Sequence, residues 1–158
     1  MPLIEFRENK TLKLTNLLSR KVPSDEMFNQ GKQIQMLTNW IQAKGYKPVG
    51  PLITYSSGIK GLDADNKPII DARIMLQLQQ SDVRIQLPYK FEKELRITNC
   101  LLARFNDKAE NIQYATNKLT LFAYENDLTL TGETYMVFIE QTGERLMADI
   151  FMPLKNID

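Results

Sequence analysis

An internal repeat constrains this chain more than any other feature of its sequence. Thr15-Asn16 recurs as Thr98-Asn99 at an offset of 83, and Leu37, Trp40 and Gly50 align with Leu119, Phe122 and Gly132 at 82. Ile74-Met75-Leu76-Gln77-Leu78 then lines up with Ile150-Phe151-Met152-Pro153-Leu154 at 76, as expected if the second copy has a shorter hairpin. Each copy must therefore fold as the same supersecondary unit, and a sequence that repeats its element order strongly restricts the topologies open to it. The copies cover about residues 12–80 and 95–155, within a single domain of 158 residues.

The local signals give the unit its content. Ser24 is placed as an N-cap, with Asp25 and Glu26 in the first turn, where carboxylates meet the positive end of the helix dipole. Met27, Gly31, Ile34, Leu37 and Ile41 follow at helical spacing, and Gly45 and Pro48 end the run. A second helix is predicted from Asn106 or Asp107, with Glu110 as in a capping box, through Ile112, Ala115, Leu119 and Phe122 to Asn126 and Asp127. Apolar strand-like runs precede the helices, Leu12 to Val22 and Leu95 to Phe105. Two further strands follow each: Pro51–Tyr55 and Ala72–Leu78 around a polar loop from Gly58 to Pro68, then Glu133–Gln141 and Arg145–Leu154 around Thr142-Gly143-Glu144. The predicted fold is α+β, with duplicated β-α-β-β units forming a curved, mainly antiparallel sheet that carries two long helices on one face.

Composition narrows function mainly by exclusion. Hydrophobic residues make up 43% and charged residues 25% of the chain, the proportions of an ordinary globular protein. A net charge of +1 supplies no global field for nucleic acid or anionic lipid. No stretch approaches the roughly 20 apolar residues of a membrane span, and a cytoplasmic location is the expectation. The chain has no histidine, which removes Ser-His and Cys-His nucleophile pairs and all histidine metal sites. Its single cysteine, Cys100, lies in an apolar run and reads as a small buried hydrophobe. Asp63, Asp65, Asn66 and Asp71 gather oxygen atoms but lack the EF-hand glycine and terminal glutamate. No phosphate-binding loop, dinucleotide fingerprint or CxxC pair occurs, and neither a cofactor nor a metal is expected.

Gly45-Tyr46-Lys47-Pro48-Val49-Gly50-Pro51 through Tyr55, then Gly132-Glu133-Thr134-Tyr135, then Ala148-Asp149-Ile150-Phe151-Met152-Pro153-Leu154-Lys155 carry a family resemblance. With the element order, they resemble the GyrI-like, or bacterial effector-binding, fold across about residues 12–155. The chain looks similar to an uncharacterised Gram-positive branch of that fold found near type VII secretion and toxin genes. Nothing before residue 12 resembles the regulators' helix-turn-helix, so DNA binding is expected only if another chain supplies it.

The resemblance implies a non-catalytic module that binds a small aromatic or cationic molecule in a cleft between the halves. Glu133 matches the family's cavity carboxylate, with Tyr135 and Tyr55 giving shape, and a cation–π contact there contributes about 0.5–2 kcal/mol. Trp40 is a further ligand-contact candidate, although its alignment with Phe122 makes it first a core anchor. Two other functions remain open: an intracellular adaptor or chaperone linked to a secreted toxin system, using an open sheet face or edge, and a small hydrolase using Glu133 with a tyrosine.

Overall fold

The backbone repeats more exactly than the side chains do. In the computed structural model, which describes residues 3–27 and 29–155, three pairs of left-handed positions recur at the repeat offset. Asn16 and Asn99 have φ of 48° and 56°, Gly45 and Asp127 have 75° and 55°, and Gly50 and Gly132 have 80° and 93°. Few residues tolerate positive φ, and Gly, Asn and Asp are the ones that do so at least cost. The shared Thr-Asn and Gly letters thus mark a repeated backbone path.

The elements in chain order are β1 (Leu3–Lys21), α1 (Gln30–Ala43), β2 (Pro48–Leu62), β3 (Pro68–Leu78), β4 (Tyr89–Lys108), α2 (Gln113–Glu125), β5 (Thr134–Thr142) and β6 (Arg145–Pro153). This is the expected mainly antiparallel α+β class, with one long helix per copy. The chain divides into an amino unit, Lys13–Leu95, and a carboxy unit, Met1–Leu12 with Arg96–Asp158. In place of one curved sheet, each unit by itself holds a three-stranded antiparallel ladder. In the amino unit β3 pairs with both β1 and β2, and in the carboxy unit β6 pairs with both β4 and β5.

Each unit has its own core between sheet and helix. In the carboxy unit Leu101, Ala103 and Phe105 of β4 and Ala148, Ile150 and Met152 of β6 meet Ala115, Leu119 and Ala123 of α2. In the amino unit Leu18 of β1 and Ile74, Leu76 and Leu78 of β3 meet Leu37 and Ile41 of α1. Alternation along the strands and three-to-four spacing along the helices put these residues on facing surfaces. Complete burial of such a side chain contributes roughly 1.5–3 kcal/mol.

Four local expectations need correction. Ser24 does not cap the long helix: Ser24–Glu26 is a 3-10 turn whose N-cap is Pro23, and α1 starts at Gln30. Likewise β4 continues through Asn106 and Asp107 to Lys108, where a 3-10 turn, Ala109–Asn111, leads into α2. In both copies a tight single turn carries the acidic residues that a longer helix would show in its first turn. The polar loop is short, because β2 runs on to Leu62 and only Asp63–Lys67 lies outside the strands. Asp63 shapes that turn by accepting the backbone N–H groups of Asp65 (2.8 Å) and Lys67 (2.9 Å). Finally, β1 and β4 begin before Leu12 and Leu95, so Lys90–Arg96 is strand. The helix ends match expectation, with Gly45 left-handed after α1 and Asn126 as the C-cap of α2, its Nδ2 donating to Phe122 O at 2.9 Å.

Candidate functional site

The carboxy-unit sheet has a second face, opposite α2. Met136 and Phe138 of β5 pack toward the helix-side core, which turns Tyr135 and Val137 the other way. Register then defines rows across this second face: Leu102, Phe151 and Tyr135, and beside them Arg104, Asp149 and Val137. Tyr135 is only 4% exposed. Arg104 and Asp149 form a two-pronged ion pair, Nε to Oδ1 at 2.7 Å and Nη2 to Oδ2 at 2.9 Å. The planar fork matches the carboxylate and fixes both side chains.

Glu133 lies just before β5 and is half-buried. Gly132, at a left-handed φ of 93°, bends the chain here, and Thr131 Oγ1 binds Glu133 twice, donating to its Oε1 at 3.3 Å and accepting from its backbone N–H at 3.2 Å. The carboxylate is felt inside the unit. Cys100, fully buried on β4, has its thiol pKa pushed up to about 11, first by burial and in smaller part by the negative charge of Glu133, against a lowering contact from the Leu12 backbone. Glu133 and Tyr135 are thus brought into one neighbourhood of the carboxy unit, with Phe151 across the ladder from Tyr135.

Tyr55 and Trp40 belong to the amino unit, where the sheet separates them. Tyr55 pairs with Arg73 across the β2–β3 ladder, and its row alternates with the row of Thr54 and Ile74, which faces α1. Arg73 Nε lies 3.3 Å from Asp71 Oδ1. Trp40 is on α1 and packs against the helix-side core. It therefore does not share the Tyr55 face, and its packing is that of a core anchor.

Trp40 nevertheless belongs to a cluster that the sequence does not single out. Its ring stacks on Tyr89 at 4.4 Å and 25°, and Tyr46 lies 6.0 Å away. Arg20, 8% exposed, places its guanidinium 5.3 Å from the Tyr89 ring centre. Its Nε donates to Gln33 Oε1 at 3.1 Å, and Nη2 lies 3.7 Å from Met36 Sδ. Among the described residues no carboxylate pairs with Arg20. The repeat offers a signal in retrospect, because offsets of 82 and 83 map Arg20, Gln33, Trp40 and Tyr89 onto Ala103, Ala115, Phe122 and Phe6.

Comparisons with known proteins bear on the fold. No family model and no curated protein sequence matches the chain. Among solved structures, the EcmrR regulator, seen in a complex with DNA, superposes with a TM-score of 0.65 at 13% identity, covering 99% of this chain and 58% of that one. The chain thus spans less than two thirds of that regulator's length. A hydrolase encoded by lin2189 from Listeria innocua matches with a TM-score of 0.53 at 11% identity, covering 96% and 91% of the two chains. SAV2435, bound to tetraphenylphosphonium, matches with a TM-score of 0.51 at 8% identity, covering 97% and 94%. The chain shares its fold with these proteins, in keeping with the effector-binding resemblance. Among the described residues no helix is long and apolar enough to cross a membrane.

Proposed function

We propose that the chain is a non-catalytic, GyrI-like small-molecule-binding module whose ligand is aromatic or cationic, with Glu133 supplying charge and Tyr135 ring surface. The observation that carries this reading is the placement of Glu133, half-buried where the chain enters β5 and two residues from a buried tyrosine that faces Phe151 across the ladder. A partly desolvated carboxylate beside an aromatic ring favours a cation that can also stack. The tetraphenylphosphonium bound by SAV2435, a lipophilic aromatic cation, is of that chemistry.

Calorimetric titration with tetraphenylphosphonium tests the proposal. The wild type should bind saturably, and Glu133→Gln should weaken binding by about tenfold, a loss of ~1.4 kcal/mol. Tyr135→Phe should bind nearly as well as wild type, and Tyr55→Ala measures whether the amino unit takes part. Equal affinity of wild type and Glu133→Gln would remove Glu133 from the site.

A second reading, an adaptor or chaperone for a secreted toxin, has one observation in its favour. The β2–β3 hairpin runs well past the length of its β5–β6 counterpart and exposes Ile59 at 69% and Leu62 at 61%. Apolar side chains on an extended hairpin suit pairing with another chain. Co-expression with neighbouring genes should then co-purify a partner that Ile59→Lys with Leu62→Lys releases. Purification of the protein alone in every combination would count against this reading.

A further inference from the structure

The Arg20–Tyr89–Trp40 stack leads outward to an open pocket of about 190 Å³, lined by Trp40, Lys44, Arg84, Ile85 and Gln86. All five residues belong to the amino unit, and the pocket is separate from Glu133. Two cations and no carboxylate line it. The Tyr89 ring stacks on the indole at 4.4 Å, and the Lys44 ammonium lies over the Trp40 ring, 5.9 Å from its centre. Behind the stack, the Arg20 guanidinium adds a third positive charge that no described carboxylate neutralises.

From this geometry we infer that the pocket is a second binding site, for a small aromatic anion: one ring bearing a carboxylate or similar acidic group. The ring would lie against the edge of Trp40 that lines the pocket, and the anionic group would pair with Lys44 and Arg84. Arg84 offers a planar fork suited to a carboxylate, and Gln86 an amide N–H. The volume lies below the roughly 300–1,000 Å³ of pockets that take drug-sized molecules, which restricts the ligand to about one ring. The two lining cations, Lys44 and Arg84, with Arg20 behind the stack, disfavour a cationic ligand, the opposite preference to that proposed for Glu133. In the carboxy unit the residues matched to Arg20, Tyr89 and Trp40 are Ala103, Phe6 and Phe122, which bring no cation to the stack.

Trp40 is the protein's sole tryptophan, so its emission reports on this pocket directly. Benzoate, benzyl alcohol and benzylammonium share one ring and differ in charge. Benzoate should change the emission saturably, with Kd of about 1 mM or tighter. Benzyl alcohol should bind at least about tenfold more weakly, and benzylammonium should not saturate. The exposed-site variant Lys44→Gln with Arg84→Gln should keep the wild-type melting temperature and lose benzoate binding, whereas Glu133→Gln should leave it unchanged. The inference is overturned if benzoate gives no saturable change, if the three probes bind alike, if the double variant binds benzoate undiminished, or if Glu133→Gln abolishes binding. None of these results bears on tetraphenylphosphonium binding, so the two sites stand or fall separately.

Discussion

The two units use one backbone plan to enclose different interiors. Under α2, the positions facing the sheet are Ala115, Leu119 and Ala123, and the aromatic contact is Phe6 on Phe122 at 4.4 Å, all apolar. Under α1, the matched positions are Gln33, Leu37 and Ile41, and the aromatic contact is Tyr89 on Trp40, also at 4.4 Å. The ring-on-ring distance survives duplication, while Ala103 and Ala115 are replaced by a hydrogen-bonded Arg20 and Gln33. A buried guanidinium held by one amide and one aromatic ring is a poor way to stabilise a core, since desolvating a charge costs several kcal/mol. The difference makes the helix side of the carboxy unit an all-apolar core and the helix side of the amino unit a core that carries a charge.

The largest effect should come from the apolar core. Phe105, 0% exposed on β4, has Val22 as its counterpart in the amino unit. Phe105→Ala should cost about 3–5 kcal/mol in urea denaturation, because the cavity it leaves is walled by α2 and β6 and cannot collapse fully. A loss below about 1 kcal/mol would mean that the carboxy unit is not the well-packed half.

The next effect breaks the asymmetry directly. Gln33→Leu removes the acceptor of Arg20 Nε and leaves a buried cation without that bond, at a cost of about 3 kcal/mol. Arg20→Met, which makes the site resemble its apolar counterpart, should be neutral or stabilising by ~1 kcal/mol or more, and the double variant should recover most of the loss. If Arg20→Met proves as costly as Gln33→Leu, the guanidinium is a required part of the core and its link to the aromatic pocket weakens.

What was legible in the sequence follows the same division. Period-two runs and left-handed Gly and Asn positions depend on local chain physics, and from them the duplicated unit and the C-terminal ends of both helices can be read. The early starts of β1 and β4 could not, because Arg7-Glu8-Asn9-Lys10 and Lys90 to Glu94 look like solvated charge, and a strand whose side chains are largely exposed gives little apolar signal. The helix starts were misplaced because a 3-10 turn and an α-helical first turn attract the same acidic residues. Glu133 is singled out by the motif resemblance alone, since one glutamate at a strand start carries no signal of its own. The Arg20 cluster stayed hidden: Arg20, Gln33 and Tyr89 are far apart in sequence, and an arginine in a strand reads as exposed until folding stacks it on a ring.

Cys100 sharpens the comparison through pH, since its counterpart is Leu17, which cannot titrate. Burial holds the folded thiol at about 11, above the 9.0 of an unperturbed thiol. The neutral thiol's contribution is therefore complete below the unfolded value and is lost as pH rises through about 11, a change on the order of 2 kcal/mol. Denaturation midpoints of wild type and Cys100→Ala should draw together between pH 9 and 11, and the folded thiol should resist thiol reagents at pH 8. Glu133→Gln should lower the folded thiol's pKa, because it removes one of the charges that raise it.

The smallest effect concerns the matched helix ends. Gly45 and Asp127 occupy the same left-handed position after α1 and α2, and nothing lies within 4 Å of where a Cβ on Gly45 would stand. Gly45→Ala should therefore cost about 1 kcal/mol from backbone strain alone, without a clash. Asp127→Gly relieves that strain in the other copy and should stabilise by a few tenths to ~1 kcal/mol, the gain being limited by the greater entropy of glycine in the unfolded chain. Opposite signs at the two positions would show that the helix ends are equivalent in conformation and differ only in residue. A stabilising Gly45→Ala would instead mean that the α1 end does not need the left-handed turn, and that the two copies diverge in backbone as well as in their interiors.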